Sequence, residues 1–205
     1  MENYNNMKRV LIVFFLIICG SSFQSTHAQD VKKGIQDHYA AIKNMIASYP
    51  EDEEYPVHEC YQVKVTQNLP GSGRHEENVR IYYGEREDDE IYPSHYLEYV
   101  SVVYNFAAIK YSEEYLYDKS GQISFIYALS PDVEEGTEYE FRFYFNKGKL
   151  FEVLVKNRKM GVGQFTTVYS GKTVPQKYSS FYKQYLDDVS EYKRLFEAIE
   201  ATTHR

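Results

Sequence analysis

The chain has 205 residues, a formal net charge of −7, 22 tyrosines, 12 phenylalanines, no tryptophan and two cysteines. An acidic chain without a nucleic-acid motif is a poor binder of DNA or RNA, and two cysteines are too few for a disulfide scaffold or a thiolate-held metal. So many tyrosines favour strands, where the ring fills the pleat and the hydroxyl stays wet; a sugar-stacking surface is the sharper alternative.

The first segment reads as a leader. Met7, Lys8 and Arg9 form a short basic region, and Val10 to Ile18 is an apolar run too short to span a bilayer. Thr26, His27 and Ala28 put small residues where signal peptidase reads them, so cleavage is expected after Ala28, with the mature chain beginning at Gln29. Lipidation at Cys19 and an uncleaved anchor are the alternatives. Cleavage would leave Cys60 as the only cysteine, without a partner for an internal disulfide, and residues 29–205 are expected to form a single domain.

Asp30 is a natural N-cap, and Val31, Ile35, Tyr39, Ile42, Met45 or Ile46, and Tyr49 recur at helical spacing up to Pro50. Strands follow. Val57, Tyr61, Val63 and Val65 alternate with His58, Cys60, Gln62 and Lys64; Pro70, Gly71 and Gly73 then turn the chain, and Val79, Ile81 and Tyr83 continue. Tyr96 to Phe106 is apolar on nearly both faces, which predicts a strand buried under helices. Glu113 to Lys156 holds two aromatic hairpins, turning at Asp118–Gly121 and Asn146–Lys149. In the second, Tyr139, Phe141, Phe143 and Phe145 alternate with Glu138, Glu140, Arg142 and Tyr144, which predicts one apolar and one wet face. After a strand at Val162 to Tyr169 and Pro175, Phe181, Tyr185, Val189, Tyr192, Phe196 and Ile199 mark one face of a helix; Lys183, Asp187, Asp188, Glu191 and Arg194 are assigned to the other. The expected fold is α+β: N-terminal helix, antiparallel meander of about six to eight strands, C-terminal helix packed on the sheet.

The segments 115–123 (YLYDKSGQI) and 143–150 (FYFNKGKL) resemble the aromatic-Asx-Gly-Leu phrasing of MORN-type hairpin repeats, over residues 113–156 only. That resemblance implies a binding or scaffolding surface, in some proteins an antitoxin-like one, and carries over no functional residue. The helix-then-sheet layout is similar to cystatin-like and NTF2-like folds in arrangement alone.

Motifs for chemistry are sparse. His58 and Cys60 would share a strand face about 7 Å apart, too far for a nucleophile–base pair. His38, His58, His75, His95 and His204 are scattered without ligand spacing, the acidic loop Glu85 to Glu90 lacks the EF-hand pattern, and Gly161-Val162-Gly163 lacks a dinucleotide loop's third glycine. No metal or cofactor is expected. A pair of carboxylates for glycoside hydrolysis stays open, since acidic residues are plentiful.

Charge is divided along the chain. Residues 51–90 carry twelve acidic and four basic residues, whereas 142–183 carry nine basic residues against Glu152 alone. Either the two blocks neutralise one another, or Lys147, Lys149, Lys156, Arg158, Lys159 and Lys172 form a basic patch for an anionic glycan, lipid headgroup or protein. The leading expectation is an exported, non-catalytic binding module of a bacterial-type cell envelope. A carboxylate-dependent hydrolase and an inhibitor or immunity-like protein are the alternatives.

Overall fold

A computed structural model describes residues 28–48, 60–87 and 93–203. The leader up to His27, His58 and Asp88 to Glu90 of the acidic loop lie outside them. The chain divides into two compact units, Met1–Ala40 and Ala41–Arg205. Helix α1 spans 28–47, and its last turn closes where the Ser48 hydroxyl donates to the Met45 carbonyl.

The second unit is built on an eight-stranded antiparallel sheet in plain meander order: β1 (Cys60–Leu69), β2 (Gly73–Glu85), β3 (His95–Phe106), β4 (Ile109–Tyr117), β5 (Ile123–Asp132), β6 (Thr137–Asn146), β7 (Lys149–Lys159) and β8 (Val162–Gly171). The sheet does not close, so β1 and β8 are its edges. A 3₁₀ turn at Gln176–Tyr178 leads into helix α2 (Ser179–Thr203). The expected α+β layout is what forms.

Local chemistry sets the turns. Between β4 and β5, Asp118 Oδ1 accepts from the Ser120 and Gln122 amides, an Asx device that lets Gly121 reverse the chain at φ 76°. Between β6 and β7, Lys147 and Gly148 both have positive φ, 51° and 70°, the backbone of the hairpin turn that suits strand twist. The β3–β4 turn was not foreseen as a hairpin. It uses Ala107 at φ 53° with no Asx–Gly signal, and Asn105 closes it by donating to the Ala107 carbonyl.

α2 crosses one face of the sheet from β6 to β1. Its start packs Phe181 on Phe141 and Tyr182 on Phe143, each with ring centres 5.1 Å apart. Its middle sets Tyr192 against Tyr115, and Tyr117 donates to the Val189 carbonyl at 3.0 Å. Its end lays Phe196 over Tyr61 and Tyr83, where Tyr61 donates to Glu200 at 2.6 Å. Phe141, Phe143, Tyr115, Tyr117, Val100 and Val102 beneath it are fully buried, each such burial contributing about 2–3 kcal/mol.

The opposite face differs from expectation. Tyr144 is as buried as Phe143, and Tyr99, Leu116 and Phe125 beside it are withdrawn from solvent too. Within the same unit Ile42 of α1 is buried and Lys43 pairs with Glu114 at 2.9 Å, so the end of α1 rests on this side. β6 therefore carries aromatic rings on both faces and tolerates Glu140 only because Arg142 and Lys156 neutralise it. β3 is buried as predicted from Tyr96 to Val102, but Val103 and Phe106 emerge at its far end.

Candidate functional site

Two places concentrate polar groups. The first is a corner of the sheet that α2 leaves uncovered. Here the turn 133–136 lies beside the turn 160–161, tied by the Met160 amide donating to the Gly136 carbonyl at 3.0 Å. Between them opens a cleft of about 520 Å³ lined by Glu135, Thr137, Asn157, Lys159, Gln164 and Thr166, among others. Thr137 stands opposite Lys159, and Asn157 opposite Thr166, so the ladder itself aligns these side chains on one face. Glu135 is already engaged: it accepts from Tyr139 at 2.5 Å and from Lys177 at 3.3 Å, and those hydrogen bonds hold its carboxyl below the usual range. Lys159 is exposed and has no ion pair among the described residues.

The basic residues read from the sequence do not gather into one patch. Arg158 donates to Glu138 at 2.6 Å and stacks over Phe165, while Lys156 and Arg142 share Glu140 at 3.3 and 2.8 Å. Lys156 and Arg158 are answered across the β6–β7 ladder, and Arg142 along β6, by glutamates that immediately precede the basic block. Lys147 and Lys149 sit at the Asn146–Lys149 turn, and Lys172 follows the end of β8 on the same side. Lys159 lies at the other end of the ladder, ten residues from Lys149 and so roughly 33 Å from it at about 3.3 Å per residue. Alternation and meander order thus split a block that is continuous in sequence into two ends.

The second place lies under α2. Glu113 on β4 is 1 % exposed; its Oε1 accepts from Tyr104 at 2.9 Å and its Oε2 from Tyr115 at 2.5 Å. The Tyr115 hydroxyl also stands 3.3 Å from Asp188 Oδ2 on α2. Burial pushes the Glu113 carboxyl up against the opposing effect of the two tyrosine hydrogen bonds. Asp188 is pushed up to about 7, first by burial and then by the charge of Glu113. Asp188, expected from the sequence on the wet side of the helix, faces the sheet. It falls three residues after Tyr185 and four before Tyr192, and this spacing turns it inward. Tyr104 and Tyr111 stack at 4.9 Å beside the cluster, and Tyr185 meets Ser130 at 2.6 Å on its other flank.

The two carboxylates lie no more than about 6 Å apart, the limit set by their distances of 2.5 and 3.3 Å to the shared hydroxyl. That limit includes the separation of about 5–5.5 Å that retaining glycoside hydrolases use. Both Glu113 oxygens accept tyrosine hydrogen bonds, and the Tyr115 hydroxyl stands in the gap between the carboxylates where a reacting atom would sit. Cys60 also reads as inert, because burial raises its thiol pKa and the thiolate is disfavoured. His75 lies beside Tyr104, and His95 contacts Glu200 at 3.1 Å in the clasp at the end of α2. Among the described residues no group of three metal-ligating side chains forms, and no helix is long and apolar enough to cross a membrane. Comparison of the chain with protein-family models, with curated proteins and with solved structures finds no match.

Proposed function

We propose that this protein is an exported, non-catalytic binding module of the cell envelope that engages an anionic partner. The observation that carries the reading is the contrast between its two polar places. The carboxylates under α2 are consumed internally by tyrosine hydroxyls, whereas the β6–β8 corner presents to solvent a polar cleft with Lys159, which has no ion pair among the described residues. The leader-like segment 7–28 supports export, and the MORN-like phrasing of the hairpins supports a binding role. The separation of Glu113 and Asp188 keeps a hydrolase as the second reading.

Fractionating cells that express the full chain, with intact-mass measurement, tests export: a mature species beginning at Gln29 in the envelope or medium is expected. Full-length chain held in the cytoplasm, or a diacylglyceryl mass on Cys19, would contradict it. Turnover of glycoside substrates that is abolished by Glu113→Gln would favour the hydrolase instead.

A further inference from the structure

We infer that β8 is a docking edge for an extended acidic peptide segment of another protein, which adds to the sheet as a ninth strand. This rests on the binding-module reading and names its partner.

An edge strand presents a row of unsatisfied backbone donors and acceptors, and soluble proteins usually guard it with lysine, proline or a cover. β1, the other edge, carries Lys64 at mid-strand. β8 reads VGQFTTVYSG, ten residues with no charge and no proline. It is mostly exposed, with Val162 at 61 % and Val168 at 45 %; its ladder to β7 is bulged, with the extra residues on β8 at Val168 and between Val162 and Thr166, where Gly163 has φ 79°. No charge or proline on β8 repels an incoming strand, and Thr166, Thr167 and Tyr169, which keep their ladder partners on β7, are residues that pair well across a ladder.

Charge decides what kind of strand. Lys159 stands directly across from Val162 at the start of β8, and Lys172 follows its last residue; neither has an ion pair among the described residues. A segment lying along β8 would therefore meet a cation at each end and an uncharged stretch between. An uncharged, β-branched centre with carboxylates at both ends fits that pattern. A second copy pairing through its own β8 would bring like charges to both ends, which disfavours self-association. The cleft adds specificity. Val162, Gln164 and Thr166 line it from β8 around the bulge at Gly163, so a side chain reaching over β8 from the added strand would enter beside Lys159, with Glu135 on the far wall held by Tyr139 and Lys177.

The test uses the full mature chain and a fluorescently labelled peptide of alternating threonine and valine with glutamates at both ends. A lysine-ended version serves as the control. Anisotropy should show saturable binding of the acidic peptide, weakening with salt, and little binding of the control. Lys159→Glu combined with Lys172→Glu should weaken binding at least about tenfold by reversing the end charges. Val168→Lys, which guards the edge, should weaken it without changing the thermal melt. On peptide addition the amides of β8 should gain protection from hydrogen exchange ahead of those of β1. Equal binding of both peptides, no binding, protection confined to β1, or a salt-strengthened dimer through β8 would each overturn the inference. The outcomes separate from those of the parent reading: an exported protein without turnover that ignores the peptide removes only the docking edge. Glu113-dependent turnover removes the parent reading whatever the peptide does.

Discussion

Glu113 of β4 and Asp188 of α2 face one another across the hydroxyl of Tyr115, one carboxylate fully buried and the other partly so. Two carboxylates this close in a site of low polarity resist ionising together, and the helix is held to the sheet most firmly while a proton remains between them.

That arrangement sets a pH dependence. Asp188 titrates near 7 in the folded chain against about 4 when unfolded, so its folded-state pKa is raised. The groups facing it are Glu113 from the sheet, Tyr115, and Asp187, Glu191 and Tyr192 from its own helix. The contribution is therefore fully present below about pH 4 and is lost as pH rises through 7, a sign that Glu113 shares. Asp188→Asn, which keeps the neutral form, should raise stability at pH 8 by about 1–2 kcal/mol after allowing for solvent screening of a half-exposed group. It should also flatten the stability profile between pH 4 and 7. Thermal melts across pH 4–8 read both effects; a variant less stable than wild type at pH 8 would refute the assignment.

The core role of α2 rests on its aromatic stripe. Phe196 is 6 % exposed against Tyr61 and Tyr83, so Phe196→Ala should cost about 3–5 kcal/mol. Lys183→Ala on the exposed side should cost little. A chain ending before Pro175 would uncover Phe141, Phe143 and Tyr115 together and should lose its cooperative thermal transition.

Cys60 should be dispensable. Its side chain is partly buried on β1 and its thiol pKa is raised by burial, so alkylation at neutral pH should be slower than for a free thiol. Cys60→Ser should leave the melting curve within about 1 kcal/mol of wild type. Rapid labelling at pH 7 would contradict this picture.

The β6–β7 turn offers a backbone test. Gly148→Ala places a Cβ at φ 70° and should destabilise by about 1–2 kcal/mol, while Lys147→Gly relieves the same conformation at its neighbour and should stabilise slightly. Denaturant melts would show the two variants shifting the midpoint in opposite directions.

How far the sequence reaches can be judged from particular elements. The aromatic alternation of β6, the Asx-and-glycine turns at 118–121 and 146–149, and the four-and-three spacing of α2 are short-range signals, since each depends only on residues a few positions apart. They sufficed for the α+β layout and for placing Phe196 and Tyr185 in the core. The Ala107 turn carried no such signal, because its left-handed residue is held by the hairpin around it. The second buried face of β6 was also illegible: whether Tyr144 meets water depends on what packs there from elsewhere in the chain. The basic block from Arg142 to Lys183 shows the same division. Sequence alone established its charge, and only strand pairing decided that Lys156 and Arg158 meet glutamates while Lys159 and Lys172 flank an open edge. Glu113 and Asp188, 75 positions apart, became neighbours only when α2 crossed the sheet. Periodicity records which way a side chain points; tertiary packing alone decides which charge it finds there.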